Sequence, residues 1–88
     1  MIADIEPAAV ESFRRYEDRV LPLLARHGGR LQRRLRTADG TTEVHVLDFD
    51  GQEGYDAYMR DPERAQARAE LADAAVVQRV LAVGDVPV

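Results

Sequence analysis

A chain of 88 residues has room for one domain, spanning residues 1–88, and so small a domain buries only about 60 to 65% of its unfolded surface. A partner subunit is therefore expected to add stability. The hydrophobic fraction of 45% and the charged fraction of 32% are those of a soluble globular protein, and they exclude a disordered chain and a membrane-spanning protein.

Charge and residue usage exclude further classes of protein. The formal net charge of -4 argues against nucleic acid as the main partner, because affinity for a phosphate backbone depends on summed positive charge. The chain has no cysteine, which removes disulfides, thiolate nucleophiles and sulfur-ligated metal sites. Residues 1–4 show neither the basic region nor the apolar run of a signal peptide, so we expect a cytoplasmic protein.

The N-terminal third predicts a strand followed by a long helix. Residues 1–6 predict a short first strand with Ala3 and Ile5 on the same face. Pro7 suits a first helical turn, and the pattern beyond it predicts one helix that continues to His27. Apolar residues recur there at three- and four-residue steps and form one buried stripe, namely Val10, Phe13, Tyr16, Val20, Leu23 and Leu24.

Two residues stand out in this helix. Pro22 falls on the outer face, where it is expected to bend the helix around the core. Glu17 is an acid inside the apolar stripe, and it permits two interpretations. It is either a carboxylate at the margin of the stripe, paired with an arginine, or a buried functional acid.

Residues 27–49 predict a helix end, a strand, a tight turn and a second strand. Gly28-Gly29 ends the helix, and Asp39-Gly40 supplies the positive φ angles of a two-residue turn, although a four-residue loop over residues 38–41 gives the same register. That register pairs Arg36 with Glu43, Arg34 with His45, Gln32 with Leu47 and Arg30 with Phe49 on one face, and Leu35 with Val44 and Arg33 with Val46 on the other.

The remainder predicts two helices and a last strand. Residues 53–60 form a short helix that presents Tyr58, and Asp61-Pro62 caps and begins a second helix that runs to about Asp73. The β-branched residues 75–83 predict a strand covered on both faces. The element order predicts an α+β fold, the ferredoxin-like βαββαβ arrangement with a four-stranded antiparallel sheet.

At this point the chain resembles the dimeric α/β-barrel superfamily, in which two ferredoxin-like subunits press their sheets together into a shared barrel. It is similar there to the antibiotic-biosynthesis monooxygenase-like proteins and to a small uncharacterised branch of that superfamily. The residues that carry the resemblance are Tyr16-Glu17, Arg26-His27-Gly28-Gly29-Arg30, Leu47-Asp48-Phe49 and Ala57-Tyr58-Met59-Arg60-Asp61-Pro62-Glu63.

The resemblance implies a fold, a homodimer and a chemistry. The monooxygenases of this superfamily act as a family on polycyclic aromatic polyketides without metal or flavin, and relatives with the same fold cyclise polyketides or degrade haem. Monooxygenase-like members often carry a histidine after the third strand, where this chain has tyrosines and Asp61-Pro62-Glu63.

The sequence offers few groups for catalysis. His45, opposite Arg34 in the predicted hairpin, is the residue whose pKa is best placed for proton transfer near neutrality, and a neighbouring arginine would keep it neutral and basic. The alternative is a structural histidine whose ring nitrogens are hydrogen-bonded within the fold. Arg34 belongs to a cluster with Arg30, Arg33 and Arg36, which forms either cross-strand ion pairs with Glu43 or an anion site.

Other chemistries are not expected. His27 and His45 lack the spacing of a zinc site, so we predict no metal, and His27 is better placed to cap a helix C-terminus. Ser12, the only serine, is far from any nucleophile motif. The sequence has no glycine-rich phosphate loop, because Gly28-Gly29 leads into a strand and not into a helix, so we predict no cofactor.

Two functions of different class remain. The first is a cofactor-independent monooxygenase-like or cyclase-like enzyme that acts on an aromatic or polyketide-type small molecule, with Tyr16 and Tyr58 lining the pocket, His45 as acid or base and Arg34 steadying an oxyanion. The second is a non-catalytic dimeric module that binds a small ligand or supports a partner, which the tyrosines after strand 3 favour.

The faces of the sheet carry a further expectation. The aliphatic face is predicted to pack under the helices. The opposite face, with Leu47, Phe49 and alternating arginines, is predicted to form a homodimer interface, because it is too apolar at one end to stay exposed. The aliphatic residues are Leu31, Leu35, Val44 and Val46.

Overall fold

The computed structural model describes residues 1–72 and 75–88, and it shows an α+β architecture with a four-stranded antiparallel sheet. The strand order β2-β3-β1-β4 is compatible with a ferredoxin-like fold. In chain order, the elements are β1 (Ile2–Ile5), α1 (Val10–Val20), β2 (Gly29–Arg36), β3 (Thr42–Phe49), α2 (Gln52–Met59), α3 (Pro62–Ala69) and β4 (Val76–Arg79). No helix in the described ranges is long and apolar enough to cross a bilayer.

The prediction of one helix from residue 7 to residue 27 was wrong at both ends. The segments Pro7–Ala9 and Leu21–His27 are 3-10 helices, and only α1 between them is α-helical. Pro22 has no N–H to donate to the carbonyl four residues earlier, so the chain tightens after Val20 instead of bending as one helix. The predicted stop is confirmed, because Gly28 has a φ of 69° and its N–H bonds to the Ala25 carbonyl at 3.3 Å.

The hairpin closes through the four-residue loop, and the two-residue turn was wrong. The Thr37 N–H donates to the Thr42 carbonyl at 3.0 Å, and the Gly40 N–H donates to the Thr37 carbonyl at 2.9 Å. Gly40 has a φ of 77°, whereas Asp39 does not take a positive φ. The Asp39 carboxylate instead accepts hydrogen bonds from the Thr41 N–H at 3.0 Å and the Thr37 hydroxyl at 2.8 Å, which organises the loop without a left-handed aspartate.

The register is confirmed next to the loop and shifts further away. The predicted pairs Arg36/Glu43, Leu35/Val44, Arg34/His45 and Arg33/Val46 are all present. Between Leu31 and Arg33 the ladder contains a bulge, so the predicted pairs of Gln32 with Leu47 and Arg30 with Phe49 were wrong. One extra residue on β2 places Leu31 opposite Leu47, Arg30 opposite Asp48 and Gly29 opposite Phe49.

The helices cover the face that was predicted to stay open. Glu43 and His45 are 1% and 2% exposed on this face, beside the core residues Ala3 and Ile5. Of the four aliphatic residues predicted to pack under the helices, Leu31 does pack against the core, because the bulge pairs it with Leu47. Val44 and Val46 are half-buried on the other face, and Leu35 is 40% exposed there. Leu47 and Phe49 alternate with Val46 and pack against the core cluster, so they do not form the open face. Alternation fixed which residues share a face, but it is symmetric between the two faces and does not determine which of them is buried.

The C-terminal elements are shorter than expected. The Asp61 side chain accepts a hydrogen bond from the Glu63 N–H at 2.8 Å, which confirms the predicted cap of α3. The helix ends at Ala69, and its predicted end at Asp73 lies outside the described residues. The strand predicted over residues 75–83 is limited to β4, because its neighbour β1 is four residues long and the last pair joins Ile2 to Arg79. The prediction that both faces are covered was wrong, since Val77 is 60% exposed.

The hairpin loop yields a first prediction. Replacing Gly40 with valine is expected to lower the free energy of unfolding by about 1 to 3 kcal/mol, because a β-branched residue is strained at a φ of 77°. Gly84→Val is the matched control, since a Cβ at Gly84 meets nothing within 4 Å. Urea titrations of both variants measure the difference, and equal midpoints would contradict the assigned loop.

Candidate functional site

Five ionisable side chains meet between α1 and the sheet. The Glu43 carboxylate of β3 accepts hydrogen bonds from Arg34 Nε at 2.7 Å and from Arg36 Nε at 2.9 Å. Its Oε1 also lies 2.8 Å from His45 Nε2, and His45 Nδ1 lies 3.8 Å from Oε2 of Glu17 in α1. Strand alternation brings Glu43 and His45 to one face, and the helical stripe of α1 brings Glu17 down onto them.

The burial of Glu43 is compensated by its three donors. Burial by itself raises the pKa of this carboxyl, but the hydrogen bonds from the two arginines and His45 outweigh it and lower the pKa to about 2. Glu43 is therefore ionised at neutral pH. Because a carboxylate only accepts, the neutral His45 ring donates from Nε2 to Glu43, which leaves Nδ1 unprotonated.

The pKa of His45 is lowered and that of Glu17 is raised, which are the directions that favour proton transfer near neutral pH. Burial lowers the pKa of His45, and the hydrogen bond and charge of Glu43 offset this only in part. Burial raises the pKa of Glu17 to about 7, which the charge of Arg34 opposes and the charge of Glu43 reinforces. At neutral pH the site thus holds one permanent carboxylate, one basic imidazole and one carboxyl that exchanges its proton.

A cavity of about 30 Å³ lies beside this cluster, between the sheet and the helices. Tyr16, Glu17, His45, Tyr58 and Arg64 are on its lining. Its mouth includes exposed apolar residues, since Met59 and Val80 also line it and are 37% and 44% exposed. The volume is enough for one or two water molecules, so a larger ligand must part the side chains at the mouth.

The two predicted tyrosines both reach this cavity. Tyr16 and Tyr58 are 3% and 5% exposed. Burial raises the pKa of Tyr58 to about 12 and raises that of Tyr16, in each case against the positive charge of Arg64. Both phenols therefore keep their protons at neutral pH and can donate hydrogen bonds. Tyr16 also borders a groove of about 220 Å³ between α1 and α3, on which Arg15 and Arg19 lie.

The structure separates the other candidates from the cavity. Arg34 does not line it and is bound to Glu43, so the structure does not bring the residue predicted to steady an oxyanion to this cavity. The reason is geometric, because Arg34 faces His45 across the ladder and its guanidinium is held by the carboxylate between them. His27 lies at the end of a 3-10 helix and binds Asp61 Oδ2 through Nε2 at 2.7 Å. Arg30 pairs with Asp48 and Asp50.

Sequence reasoning missed two residues of the site. Glu43 was considered only as a partner of arginines, although its two-residue spacing from His45 places both on one strand face. Arg64 was not considered, but it precedes Ala67 and Leu71 by three and seven residues, and both of these are buried. That spacing marks the inner stripe of α3 and was the available signal.

The site has no metal-like arrangement in the part of the chain that the structure describes, since no group of three or more His, Asp or Glu side chains there could hold an ion. Comparison with protein-family models, with curated proteins and with solved structures finds no match to this chain. Any function must therefore be inferred from the geometry of these residues.

The pKa of Glu17 yields a second prediction. In the folded protein the pKa of Glu17 is about 7, above the ordinary value of 4.5 for this carboxyl. The unfolded chain therefore ionises at lower pH than the folded protein, and the folded state loses stability as pH rises from about 4.5 to 7. Glu17→Gln removes this cost, so the stability of the variant relative to wild type should rise by about 1 to 3 kcal/mol over that range.

Urea titrations at several pH values between 4.5 and 8 measure the effect of Glu17→Gln. Titration of Glu43 and His45 affects both proteins and largely cancels in the difference. Glu11→Gln, on the exposed side of the same helix, is the control and should show no such trend. A difference that does not change with pH would mean that Glu17 titrates as an ordinary carboxyl.

Proposed function

We propose that the protein is a cofactor-independent acid–base catalyst of the monooxygenase-like or cyclase-like kind, acting on an aromatic or polyketide-type small molecule. The observation that carries this proposal is the Glu43–His45–Glu17 arrangement at the wall of a cavity lined by two tyrosines. Two carboxyls whose environments drive their pKa values apart, joined by a neutral imidazole, are the pattern of a proton-transfer site.

The roles of the three residues follow from their bonds. Glu43 fixes the tautomer of His45 and stabilises the imidazolium that forms when His45 accepts a proton at Nδ1. Glu17 lies beside Nδ1 and can exchange that proton onward, since its pKa is about 7. Deprotonation of an enol, phenol or activated C–H is the first step shared by cofactor-independent oxygenation and by cyclisation, and this set of residues supports it.

We further propose that the chain forms a homodimer in which two sheets meet through their open faces, as in a dimeric α/β barrel. The open face bears an aliphatic group that is half-buried or exposed and that no helix among the described residues covers. Such a surface favours a self-complementary interface, and a domain of 88 residues gains stability from it. The residues of this aliphatic group are Ile2, Leu35, Val44, Val46 and Val77.

A non-catalytic dimeric binding module is the second candidate. The observation that favours it is the cavity volume of about 30 Å³, which is far below that of a formed pocket for an aromatic substrate. In this case the Glu43–His45 hydrogen bond is structural and helps to satisfy a buried carboxylate.

Proton exchange distinguishes these two candidates. The enzyme is expected to accelerate hydrogen–deuterium exchange at the acidic carbon of 2-tetralone, an aromatic ketone, and His45→Ala should lower the rate constant by about 100-fold or more. Tyr58→Phe keeps the ring and should retain proton transfer. Nuclear magnetic resonance follows the exchange, and circular dichroism verifies that both variants fold. Exchange no faster than in buffer would leave the binding module as the better explanation.

Light scattering tests the dimer. Wild type at micromolar concentration is expected to show the mass of two chains, and Val44→Arg, at the centre of the open face, should show the mass of one because it buries an unpaired charge. Ala65→Arg on the exposed side of α3 is the control and should remain dimeric. A monomeric wild type would refute the proposed interface.

A further inference from the structure

Two hydrogen-bond donors at the cavity have no partner. Tyr16 is 3% exposed, and its hydroxyl is buried without a hydrogen bond among residues 1–72 and 75–88. The Arg64 Nε atom is buried and equally unpartnered within these ranges. Both residues line the cavity beside His45 and Glu17. An unsatisfied buried donor costs about 1 to 3 kcal/mol, so two of them at one cavity call for an explanation.

The chemistry of the donors specifies the missing group. Arginine only donates, and the Tyr16 phenol keeps its proton because burial raises its pKa. The guanidinium of Arg64 is also held over the Tyr58 ring, with its Cζ 5.1 Å from the ring centroid. A fixed positive group next to a neutral donor is complementary to an oxygen atom that carries negative charge.

No other arginine of this region is placed to do the same. Arg34 is committed to Glu43, at 2.7 Å. Arg68 donates from Nη2 to the Val76 carbonyl at 3.3 Å, and its Nη1 atom is buried without a partner among residues 1–72 and 75–88, but Arg68 is not on the lining of the cavity. Arg64 is therefore the cation that faces the cavity from α3, while His45, the proposed base, faces it from β3.

We infer that Arg64 and Tyr16 form an oxyanion subsite, and that the ligand of this cavity is an enol or phenol which binds as its anion. This inference rests on the proposed function and adds the class of ligand to it. The proton leaves the ligand oxygen, or the carbon next to its carbonyl, for Nδ1 of His45. The electron pair stays on the ligand as an enolate or phenolate, whose oxygen accepts hydrogen bonds from Arg64 and Tyr16. The reverse transfer restores the neutral ligand, so no oxidant or other reactant is consumed in this step.

The test uses 4-nitrophenol, whose phenolate is coloured, and 4-nitroanisole, its methyl ether, which cannot ionise. At pH 6 the Glu17 carboxyl, with its pKa of about 7, is mostly protonated and therefore does not repel an anion. Wild type is expected to bind 4-nitrophenol with the appearance of the phenolate absorbance band, and to bind the phenol at least about tenfold more tightly than the ether.

Variants assign the effect to residues. Arg64→Met keeps an unbranched apolar stem but removes the charge and the donors, and it should abolish the phenolate band and lower affinity for 4-nitrophenol by about tenfold. Affinity for 4-nitroanisole should change less than about twofold, whereas a misfolded variant would lose affinity for both compounds. Arg64→Lys should restore part of the band, and Tyr16→Phe should weaken phenol binding by a smaller factor than Arg64→Met. Arg15→Met, which alters the groove between α1 and α3, is the matched control.

Three outcomes overturn the inference, and they differ in what else they affect. Equal binding of the phenol and its ether, without the phenolate band, removes the oxyanion subsite but leaves an aromatic-binding cavity. Loss of the band in Arg15→Met to the same degree as in Arg64→Met places the anion in the groove. Binding of neither compound removes the subsite and counts against the proposed function as well.

Discussion

The buried carboxylate of Glu43 is the constraint on which the remaining arrangement depends. An ionised carboxyl at 1% exposure is unstable unless donors surround it, and here two arginines of β2 and the imidazole of the same strand supply them. These partners are available only on one face of the hairpin, because Arg34, Arg36 and His45 share it with Glu43. Their hydrogen bonds offset the cost of burying this face beneath α1, and the aliphatic face of the sheet is left open.

The same carboxylate organises the chemistry of the site. It holds the proton of His45 on Nε2 and so frees Nδ1, and its charge is one reason that Glu17 keeps its proton up to about pH 7. A buried ion pair contributes little net stability compared with apolar packing, yet it gives three titratable groups distinct protonation states within a few ångströms. The proposed proton transfer uses this arrangement, and the proposed oxyanion subsite uses the Tyr16 hydroxyl and Arg64 Nε, which have no partner among residues 1–72 and 75–88.

The open face and the small cavity are the two incompletely covered parts of this fold. The helices cover one sheet face, and among residues 1–72 and 75–88 no element covers the other, where Val77 and Leu35 are 60% and 40% exposed. A second copy would supply the missing layer without lengthening the chain. The cavity is bounded on one side by Val80, which belongs to the exposed C-terminal segment after β4, so its volume depends on residues that few contacts hold in place.

Local signals in the sequence determined the element order, the stop at Gly28, the cap at Asp61 and the register near the loop, because backbone conformation and strand alternation depend on neighbouring residues. They also identified His45, Tyr16 and Tyr58, and they marked Glu17 as an acid in an apolar stripe. The bulge after Leu31 and the early end of β4 depend on the partner strand, so the chain's own pattern could not reveal them. Only the tertiary structure decided which sheet face lies under α1, because alternation is symmetric between two faces; on the face that is buried, hydrogen bonds from residues of two strands offset the cost of burying the Glu43 charge.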